Sequence, residues 1–330
     1  MPKITDEIIV RGNRIKNRIV MPPMYTFSFK GDNGSFYGKQ HIEHYTARAK
    51  GGAGLIIIQS TRVHGSVSST KLWSEDNTSV LKQIAENCHA CGAKVMMQLS
   101  CNDTDINLLS IDDIKATQQE MKQAAITACE LGFDGVEYHC AHGYFLCKFF
   151  DAQYNKRDDA YGKNAEGRVR ILTEIIPEIR KHTHDKFIIS ARMGKFEPEE
   201  KDGIEAAKAL EKAGMDMLHI SWGMKMPKGQ VPDDFICSYM TYNSYEIKKE
   251  VSIPVIAVNE IRTGEQAKFI IENGYADFAA IGRGQLCDDE FANHIINNEP
   301  VNKCIGCYEN IVNKCSWFTD HTQCPGQLNK

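Results

Sequence analysis

The sequence predicts an α/β protein, and more specifically a single (β/α)8 TIM barrel with an N-terminal hairpin lid and a cysteine-rich C-terminal tail. Short apolar segments alternate with helix-length gaps along the 330 residues, a spacing that predicts parallel strands joined by helical crossovers. Eight such segments are present, the number that closes a TIM barrel. A doubly wound open sheet is the alternative. The regular spacing and the absence of a mid-chain linker favour one barrel over residues 1–300, followed by a tail over residues 301–330.

The elements can be assigned in chain order. Two apolar arms flank Gly12-Asn13 within Glu7–Ile19 and predict a hairpin that covers the barrel floor. The predicted strands are Arg18–Met21, Leu55–Ile58, Lys94–Leu99, the segment that starts at Gly135, Phe187–Arg192, Met217–Ser221, Pro254–Val258 and Phe278–Gly282. Helices are predicted over Gln40–Lys50, Ser79–Cys91, Asp112–Leu131, Glu166–Lys181, Glu200–Ala213, Tyr242–Glu250 and Gly264–Asn273.

Composition excludes several classes of function. A formal net charge of −4 gives no basic surface for nucleic acid. No apolar run is long enough to cross a membrane, and the N-terminus lacks a signal-peptide core, so we expect a cytoplasmic protein with no membrane contact. In that compartment the 12 cysteines are expected to be thiols, or metal or cluster ligands, rather than disulfides. The sequence leaves a homo-oligomer open.

Polar residues gather at the predicted C-terminal ends of the strands, where TIM barrels carry their chemistry. In chain order these ends are Pro23-Met24-Tyr25-Thr26, Gln59-Ser60, Gln98, His139 with His142 and Tyr144, Arg192, Ser221-Trp222-Gly223, Asn259-Glu260 and Gly282-Arg283. Glu260 is almost the only carboxylate among them, which disfavours a hydrolase with an acid pair. Both histidines come from one strand, which disfavours a metal site.

Three side chains that can bind and protonate a substrate follow the strand that starts at Gly135. His139, His142 and Tyr144 fall within six residues, where the strand pattern ends. Two imidazoles and a phenol can hydrogen-bond a substrate oxygen and deliver a proton. One such residue is usually a satisfied core residue, but three together at a strand end indicate a functional site.

A phosphate site is predicted after the eighth strand, where Gly282 and Arg283 precede a helix. Glycine lets the backbone approach a phosphate, and a guanidinium group binds two phosphate oxygens. The loops after strands seven and eight are the usual phosphate site of this fold. We therefore take Gly282 and Arg283 as candidate phosphate ligands.

The motif H-x-x-H-G-Y at His139–Tyr144, followed by N-K-R-x-D-x-Y-G at Asn155–Gly162, resembles the old yellow enzyme family. These are FMN-dependent ene-reductases and NAD(P)H:flavin oxidoreductases. The resemblance runs from about Glu7 to Asn298 and implies bound FMN, NAD(P)H as reductant and a small-molecule substrate. It also implies roles for further residues: Pro23, Met24 and Tyr25 along the FMN edge, the backbone of Ser60, Gln98 on the pyrimidine ring, Arg192 beside N1 and O2, and Asn259 where the phosphate approaches the backbone.

The sequence departs from the family at two places near the predicted site. The family usually has Thr or Cys at the position of Tyr25, and Thr26 is a candidate replacement. After Gln98 the family often continues into a His-x-Gly-Arg run and a long loop. Here a helix is expected soon afterwards, near Ser110, so we expect one wall of the substrate pocket to be open.

The tail resembles part of a cluster-binding motif. Cys304-Ile305-Gly306-Cys307 is similar to the start of the [4Fe–4S] motif of 2,4-dienoyl-CoA reductases, but Tyr308–Lys314 holds no third cysteine. Cys315 is displaced, and Cys324 lies about where a final ligand would be. Four thiolates can hold a cluster or zinc, and free thiols are an equal alternative. Because the FAD/NAD(P)H domain of the longer relatives has no counterpart before Lys330, we slightly disfavour a cluster.

These features predict an FMN-dependent enzyme that uses NAD(P)H to reduce the C=C bond of α,β-unsaturated carbonyl compounds. His139 and His142 are expected to hold the carbonyl oxygen, and Tyr144 to protonate Cα. The first alternative keeps the flavin but reduces a quinone, free flavin, nitro compound or oxygen. A second is an electron-transfer partner without its own substrate, and a third is a flavin-free barrel that holds a metal on the two histidines.

Overall fold

The computed structural model describes residues 1–31, 36–67, 71–195, 200–307 and 315–328, and it begins with a two-stranded hairpin. β1 (Ile8–Val10) pairs antiparallel with β2 (Asn13–Ile15). The turn residues Arg11 and Gly12 have φ of 44° and 73°, the left-handed conformation that suits a two-residue hairpin turn. Val10 and Ile15 join the apolar side chains that fill the barrel, so the hairpin closes the barrel floor as predicted.

In the described ranges, eight parallel strands close into a barrel in the order β10-β3-β4-β5-β6-β7-β8-β9. The strands are β3 (Ile19–Met21), β4 (Leu55–Arg62), β5 (Lys94–Ser100), β6 (Gly135–Cys140), β7 (Ile188–Gly194), β8 (Met217–Ser221), β9 (Val255–Val258) and β10 (Phe278–Ala280). The predicted TIM barrel is therefore confirmed. β4 is longer than expected because it continues past a register shift between Ile58 and Thr61.

Helices lie between and beyond the strands and pack against the outside of the barrel. They are α1 (Lys39–Lys50), α2 (Glu75–Ala90), α3 (Ile111–Glu130), α4 (Phe145–Phe150), α5 (Ala165–Thr173), α6 (Ile176–His182), α7 (Glu200–Lys212), α8 (Tyr239–Lys248), α9 (Gly264–Glu272), α10 (Arg283–Cys287), α11 (Phe291–Asn297), α12 (Ser316–Thr319) and α13 (Pro325–Leu328). Short 3-10 helices lie at Lys71–Trp73, Ile106–Leu108 and His321–Gln323. In the part of the chain that is described, we find no helix with the length and apolar character needed to cross a membrane.

The helix predicted over Glu166–Lys181 is two helices. α5 ends at Thr173, α6 begins at Ile176, and Pro177 lies in the first turn of α6. Proline lacks the N–H that a continuing helix needs, but its fixed φ suits the start of a new helix. The expectation of one continuous helix is wrong for this reason.

The barrel interior changes from apolar at the floor to polar at the mouth. Every second residue of a strand points inward, so β6 contributes Gly135, Glu137 and His139 in turn. At the floor, the inward residues form one apolar cluster with the hairpin: Val20, Leu55, Ile57, Met96, Ile188, Met217, Ile256 and Phe278. The outward residues pack under the helices; Tyr138, for example, is fully buried and its hydroxyl donates to the carbonyl of Met121 at 2.9 Å. The polar side chains Gln98, Glu137, His139, Arg192 and His219 therefore lie above this apolar cluster.

The segment Asn155–Gly162, which carries part of the family resemblance, stabilises a neighbouring connection. Arg157 pairs with Asp159, and its Nη1 donates to the carbonyls of Ile106 at 2.6 Å and Leu109 at 2.8 Å. These carbonyls belong to the short connection between β5 and α3. Arg157 thus fixes the chain at the place where the family has a long loop.

The tail docks on the segment between β3 and α1. Trp317 of α12 is buried, with its ring 5.5 Å from that of Phe29 and 5.3 Å from that of His44 between centroids. The ring nitrogen Nδ1 of His321 lies 3.3 Å from Ser28 Oγ. The described part of the tail is therefore packed against the barrel, close to the strand ends.

We expect Gly135→Ala to destabilise the barrel. A Cβ at Gly135 would lie 2.3 Å from the carbonyl oxygen of Ile188 and 2.9 Å from its carbonyl carbon, where β6 pairs with β7. Backbone atoms cannot move aside without disturbing the sheet, so the free energy of unfolding should fall by about 3 kcal/mol. Thermal and denaturant unfolding measure this loss.

Gly274→Ala is the matched control. Gly274 has φ 73°, and a Cβ there would meet no atom within 4 Å, so only the backbone conformation opposes alanine. The expected loss is about 1 kcal/mol. Equal losses in the two variants would contradict the steric explanation for Gly135.

Candidate active site

The predicted catalytic residues lie together at the C-terminal end of β6. His139 is in the strand, His142 in the turn that follows, and Tyr144 at the N-cap of α4. Between ring centroids, His139 is 4.9 Å from His142 and 5.2 Å from Tyr144. The three residues grouped from the sequence are therefore also grouped in space.

The two histidines form a hydrogen-bonded chain that ends on β8. His139 Nε2 lies 3.0 Å from His142 Nδ1, and His142 Nε2 lies 2.7 Å from Ser221 Oγ. Both ring nitrogens of His142 are thus engaged within the protein. A ligand oxygen that binds His142 has to replace one of these contacts.

Both imidazoles are neutral because they are buried next to a cation. Burial, with a smaller effect of Arg192, lowers the pKa of His139 to about 3. The same two causes place the pKa of His142 well below its usual value. A neutral imidazole has one donor and one acceptor nitrogen. The pair can therefore donate a hydrogen bond to a substrate oxygen but has no ready proton to release.

The backbone of His142 has an uncommon conformation. His142 has φ 64° and is followed by Gly143 with φ 74°, a conformation that few non-glycine residues adopt. The N–H of His142 donates to the carbonyl of Trp222 at 3.1 Å, and the two rings are 4.6 Å apart. The turn after β6 is thus fixed by the loop after β8.

Tyr144 stands at the open side of the cluster, next to other aromatic residues. It is 45% exposed. Burial raises the pKa of Tyr25, and the nearby Tyr144 adds to the rise, whereas Ser60 and Arg62 oppose it. Tyr25 in turn stacks on Phe27, with ring centroids 4.7 Å apart. The mouth beside Tyr144 therefore presents an aromatic surface that suits a flat, partly apolar ligand.

The Thr26 hydroxyl is engaged by neighbouring elements of the protein. It is 5% exposed, and its Oγ1 donates to Gln59 Oε1 at 2.7 Å and lies 2.9 Å from His41 Nε2. The hydroxyl joins the turn after β3 to β4 and α1. The expectation that Thr26 replaces the family's Thr or Cys is therefore wrong.

Arg192 places a buried cation on β7, in register with His139 of β6. It is 9% exposed, and its Nη2 donates to Ser221 Oγ at 3.3 Å. Its Nε is buried and has no hydrogen-bond partner. A buried donor left without a partner costs about 1–3 kcal/mol, so this N–H is suited to an acceptor atom of a ligand.

Two residues of this region were not found by sequence reasoning: Glu137 and His219. Glu137 Oε1 accepts from Gln98 Nε2 at 2.8 Å, and Glu137 Oε2 lies 2.8 Å from His219 Nδ1. Glu137 and His219 are fully buried. The signal in the sequence was their position, because Glu137 lies two residues before His139 and His219 two before Ser221, on the same inward faces.

A cavity of about 120 Å³ opens next to Arg192, at the ends of β3, β9 and β10. Its lining includes five of the predicted cofactor residues, Met24, Arg192, Asn259, Gly282 and Arg283, together with Pro22, Glu260, Arg262 and Cys304. A Cβ at Gly282 would lie 3.0 Å from Met24 Sδ, so glycine keeps the backbone accessible there. Pro23 precedes Met24 in the turn after β3. The predicted phosphate residues are thus brought to one cavity.

Asn259 turns the chain at the edge of this cavity. It has φ 107°, and the next residue, Glu260, has φ 53°; such angles favour glycine, which many family members have near this position. The carbonyl of Asn259 accepts from Thr241 Oγ1 at 2.9 Å, and its Oδ1 accepts from Ser238 Oγ at 3.1 Å. The start of α8 therefore holds the turn that glycine makes easily elsewhere.

The tail cysteines lie close to the same cavity. Cys304 lines it, and Cys307 Sγ is 3.7 Å from Ser316 Oγ. Burial, with the nearby thiols of Cys304 and Cys324, raises the pKa of Cys287 to about 12. In the described residues, no three His, Cys, Asp or Glu side chains are arranged to hold a metal ion.

Comparison with known proteins identifies the family. The family described as NADH:flavin oxidoreductase / NADH oxidase matches residues 7–108 and 101–302. The chain is 36% identical to a NADH oxidase of Thermoanaerobacter brockii over 93% of this chain and 53% of the relative. It is 33% identical to a NADPH dehydrogenase of Halalkalibacterium halodurans over 86% of this chain and 91% of the relative. It is 30% identical to a cinnamate reductase of Clostridium sporogenes over 95% of this chain and 56% of the relative.

Solved structures share the fold. A 2-naphthoyl-CoA reductase in complex with 2-naphthoyl-CoA superposes with a TM-score of 0.80 at 21% identity, over 93% of this chain and 54% of that one. An old yellow enzyme homologue from Zymomonas mobilis superposes with a TM-score of 0.75 at 21% identity, over 97% of this chain and 99% of that one. The chain thus spans about half the length of the NADH oxidase and the cinnamate reductase, and most of the NADPH dehydrogenase. With its barrel, its histidine pair and its family match, the chain belongs to the NADH:flavin oxidoreductase / NADH oxidase family, the FMN-dependent NAD(P)H oxidoreductases of old yellow enzyme type.

Proposed function

We propose that this protein uses NAD(P)H and FMN to reduce the C=C bond of α,β-unsaturated carbonyl compounds. The observation that carries the proposal is the neutral pair His139 and His142 with the exposed phenol of Tyr144 beside it. Two hydrogen-bonding groups and one proton donor are what reduction of a conjugated carbonyl compound requires of the protein. A relative that bears the name cinnamate reductase favours the same class of acceptor.

The residues at the mouth fit FMN. The unpartnered Nε of Arg192 is a buried donor next to a cavity that Arg283 and Gly282 also line. Arg283 and the backbone at Gly282 and Asn259 would hold the phosphate, and Arg192 would lie at the pyrimidine end of the flavin ring. When bound, FMN supplies the two-electron chemistry that links NAD(P)H to the acceptor.

Arg192 would contribute a positive charge to the flavin site while its Nε–H stays available for a hydrogen bond to the ligand. A cation beside the pyrimidine end favours negative charge there, and a partly dry site strengthens the effect. Pro23, Met24 and Tyr25 would lie along the edge of the flavin, and Ser60 would offer its backbone. Gln98, whose amide already donates to Glu137, would still present its carbonyl oxygen.

The two histidines orient the acceptor. A carbonyl oxygen takes the place of the acceptor ring in the contact between His139 Nε2 and His142 Nδ1, and the ring that carries the proton at this contact donates to the oxygen as negative charge develops. Because the pKa of both rings is low, neither carries the proton that Cα needs. Tyr144, in contact with the His139 ring and open to solvent, donates that proton and recovers it from water.

The first alternative is reduction of quinones, flavins or nitro compounds on the same scaffold. The aromatic surface formed by Tyr25 and Phe27 can bind any flat acceptor, and one relative bears the name NADH oxidase. The other alternative is electron transfer to a partner protein, and it is favoured by the position of Cys304 at the cavity. Only the enone reaction needs a proton placed on carbon, so Tyr144 separates these possibilities.

Arg283→Ala should weaken FMN binding. The substitution removes a charge-assisted contact to phosphate, so we expect the dissociation constant for FMN to rise at least about tenfold, as measured by titration of the apoprotein. Arg170→Ala, which removes a partly exposed arginine of α5 that pairs with Glu174, is the control and should bind FMN normally. Full retention of flavin by Arg283→Ala after prolonged dialysis would contradict the assignment.

Tyr144→Phe should affect one half-reaction only. With wild-type protein, anaerobic NAD(P)H should bleach the yellow flavin and an enone should restore it. In the variant, bleaching by NAD(P)H should be nearly unchanged, whereas reoxidation by the enone should slow about a hundredfold or more, the usual effect of a lost general acid. Stopped-flow absorbance measures both steps.

Controls make the Tyr144 result specific. Tyr154→Phe leaves the phenol of Tyr144 in place and should reoxidise at the wild-type rate. Quinone reduction by Tyr144→Phe should be much less affected, because a quinone oxygen takes its proton from water. His139→Ala should instead weaken ligand binding and slow the step together. Wild-type reoxidation of Tyr144→Phe by enones would count against the enone assignment.

Metal analysis tests the tail. We expect anaerobically purified protein to hold well under four irons per chain, because Cys304 and Cys307 lack a third cysteine at the usual spacing. Iron and acid-labile sulfide assays, with a Cys304→Ser/Cys307→Ser double variant as control, measure this. About four irons and four sulfides in the wild-type protein, lost in the double variant, would reverse the prediction.

A further inference from the structure

Inward-facing polar side chains from four consecutive strands form a buried layer next to His139. They are Gln98 of β5, Glu137 of β6, Arg192 of β7 and His219 of β8. Gln98 is in register with Glu137, and Arg192 with His219. None of the four side chains is more than 9% exposed. The layer lies between the apolar floor and the mouth.

The hydrogen bonds within the layer fix where its protons lie. Glu137 accepts from Gln98 at one carboxylate oxygen and contacts His219 Nδ1 at the other. An ionised carboxylate only accepts, so His219 carries its proton on Nδ1. His219 Nε2 is then an acceptor, and it is buried without a partner.

The charges in the layer follow from its surroundings. Burial acts to raise the pKa of Glu137, but His219, Arg192 and Gln98 outweigh it and hold the pKa below its usual value. Burial lowers the pKa of His219, although Glu137 opposes this. The layer therefore contains one anion, one cation and one neutral imidazole.

Glu137 and Arg192 carry opposite charges that compensate each other, but the two side chains form no direct ion pair. Among the described residues Arg192 forms no ion pair, and its side chain donates to Ser221 Oγ at 3.3 Å. A direct ion pair would turn the guanidinium donors toward the carboxylate and away from the mouth. Separation across the two strands keeps the donors available, while the field of the anion still acts on the cation.

We infer that Glu137, held by Gln98 and His219, is a positioning residue that sets how strongly Arg192 favours negative charge on a flavin at the barrel mouth. The inference rests on the proposed function, because it requires FMN over Arg192. Removing the negative charge of Glu137 leaves Arg192 uncompensated. Reduction of the cofactor to its anionic form is then more favourable than in the wild-type protein.

The test is the midpoint potential of bound flavin in Glu137→Gln, measured by anaerobic titration against a reference dye. Glutamine keeps the shape and one acceptor but loses the charge. We expect the potential to rise by about 30 mV or more, which corresponds to about a tenfold change in the equilibrium constant of the two-electron couple. A buried residue that only stabilised the fold would change the unfolding midpoint and leave the potential unchanged.

Two further variants isolate the charge. His219→Asn keeps a donor for Glu137 and changes no charge, so its potential should match wild type even if its stability falls. Glu137→Asp keeps the anion and should also stay near wild type. An unchanged potential in Glu137→Gln, or equal shifts in the Gln and Asp variants, would overturn the inference. Failure of both Glu137 variants to fold would assign the residue to folding instead and would also overturn it.

The outcomes separate this inference from the proposed function. The potential is measured without any acceptor, so it does not depend on which compound is reduced. A shifted potential in a protein whose flavin enones do not reoxidise would refute the enone assignment and support the role of Glu137. An unshifted potential in Glu137→Gln, with a wild-type protein whose flavin enones do reoxidise, would support the enone assignment and refute the role of Glu137. Wild-type protein that binds no FMN would refute both.

Discussion

A positive charge held away from water organises the upper half of the barrel. Arg192 is 9% exposed, and an uncompensated buried charge costs several kcal/mol. Glu137 on the adjacent strand supplies the opposite charge, and it needs hydrogen bonds of its own, which come from Gln98 and His219. The same cation helps to keep His139 neutral. Glu137 thus joins β5, β6 and β8 by hydrogen bonds, and the buried guanidinium, after burial itself, lowers the pKa of both histidines.

The sequence predicted the fold well because strand and helix periods are local properties. Eight apolar segments at regular spacing favour a barrel over a doubly wound open sheet without knowledge of any contact. Errors arose where a single residue or a distant contact decided the outcome. Pro177 divides one expected helix into α5 and α6, and pairing with β5 extends β4 as far as Arg62. Neither effect is visible in the hydrophobic pattern alone.

The site was predictable to the extent that its residues are neighbours in sequence. His139, His142 and Tyr144 lie within one turn of chain, and Gly282-Arg283 within another. Glu137 and His219 were not predicted as site residues because their role depends on the pairing of β6, β7 and β8. That pairing brings the ionisable side chains of Glu137, Arg192 and His219 to the barrel interior. The misassigned role of Thr26 has the same origin, since its hydroxyl is taken up by Gln59 and His41 from other elements. Contacts across elements are what the sequence alone does not display.

The histidine pair connects this buried charge to ligand exchange. NAD(P)H and an acceptor that use one face of a flavin must bind in turn, and each brings an oxygen that can accept a hydrogen bond. In the protein alone, His139 and His142 satisfy each other at 3.0 Å. Because both rings are neutral, replacing that bond by one to a ligand oxygen changes neither the charge of the site nor the number of its hydrogen bonds. In the proposed reaction, the low pKa that burial and Arg192 impose on the histidines would allow one ligand to leave and the next to bind without a proton entering the barrel, and proton delivery would fall to Tyr144 at the solvent edge.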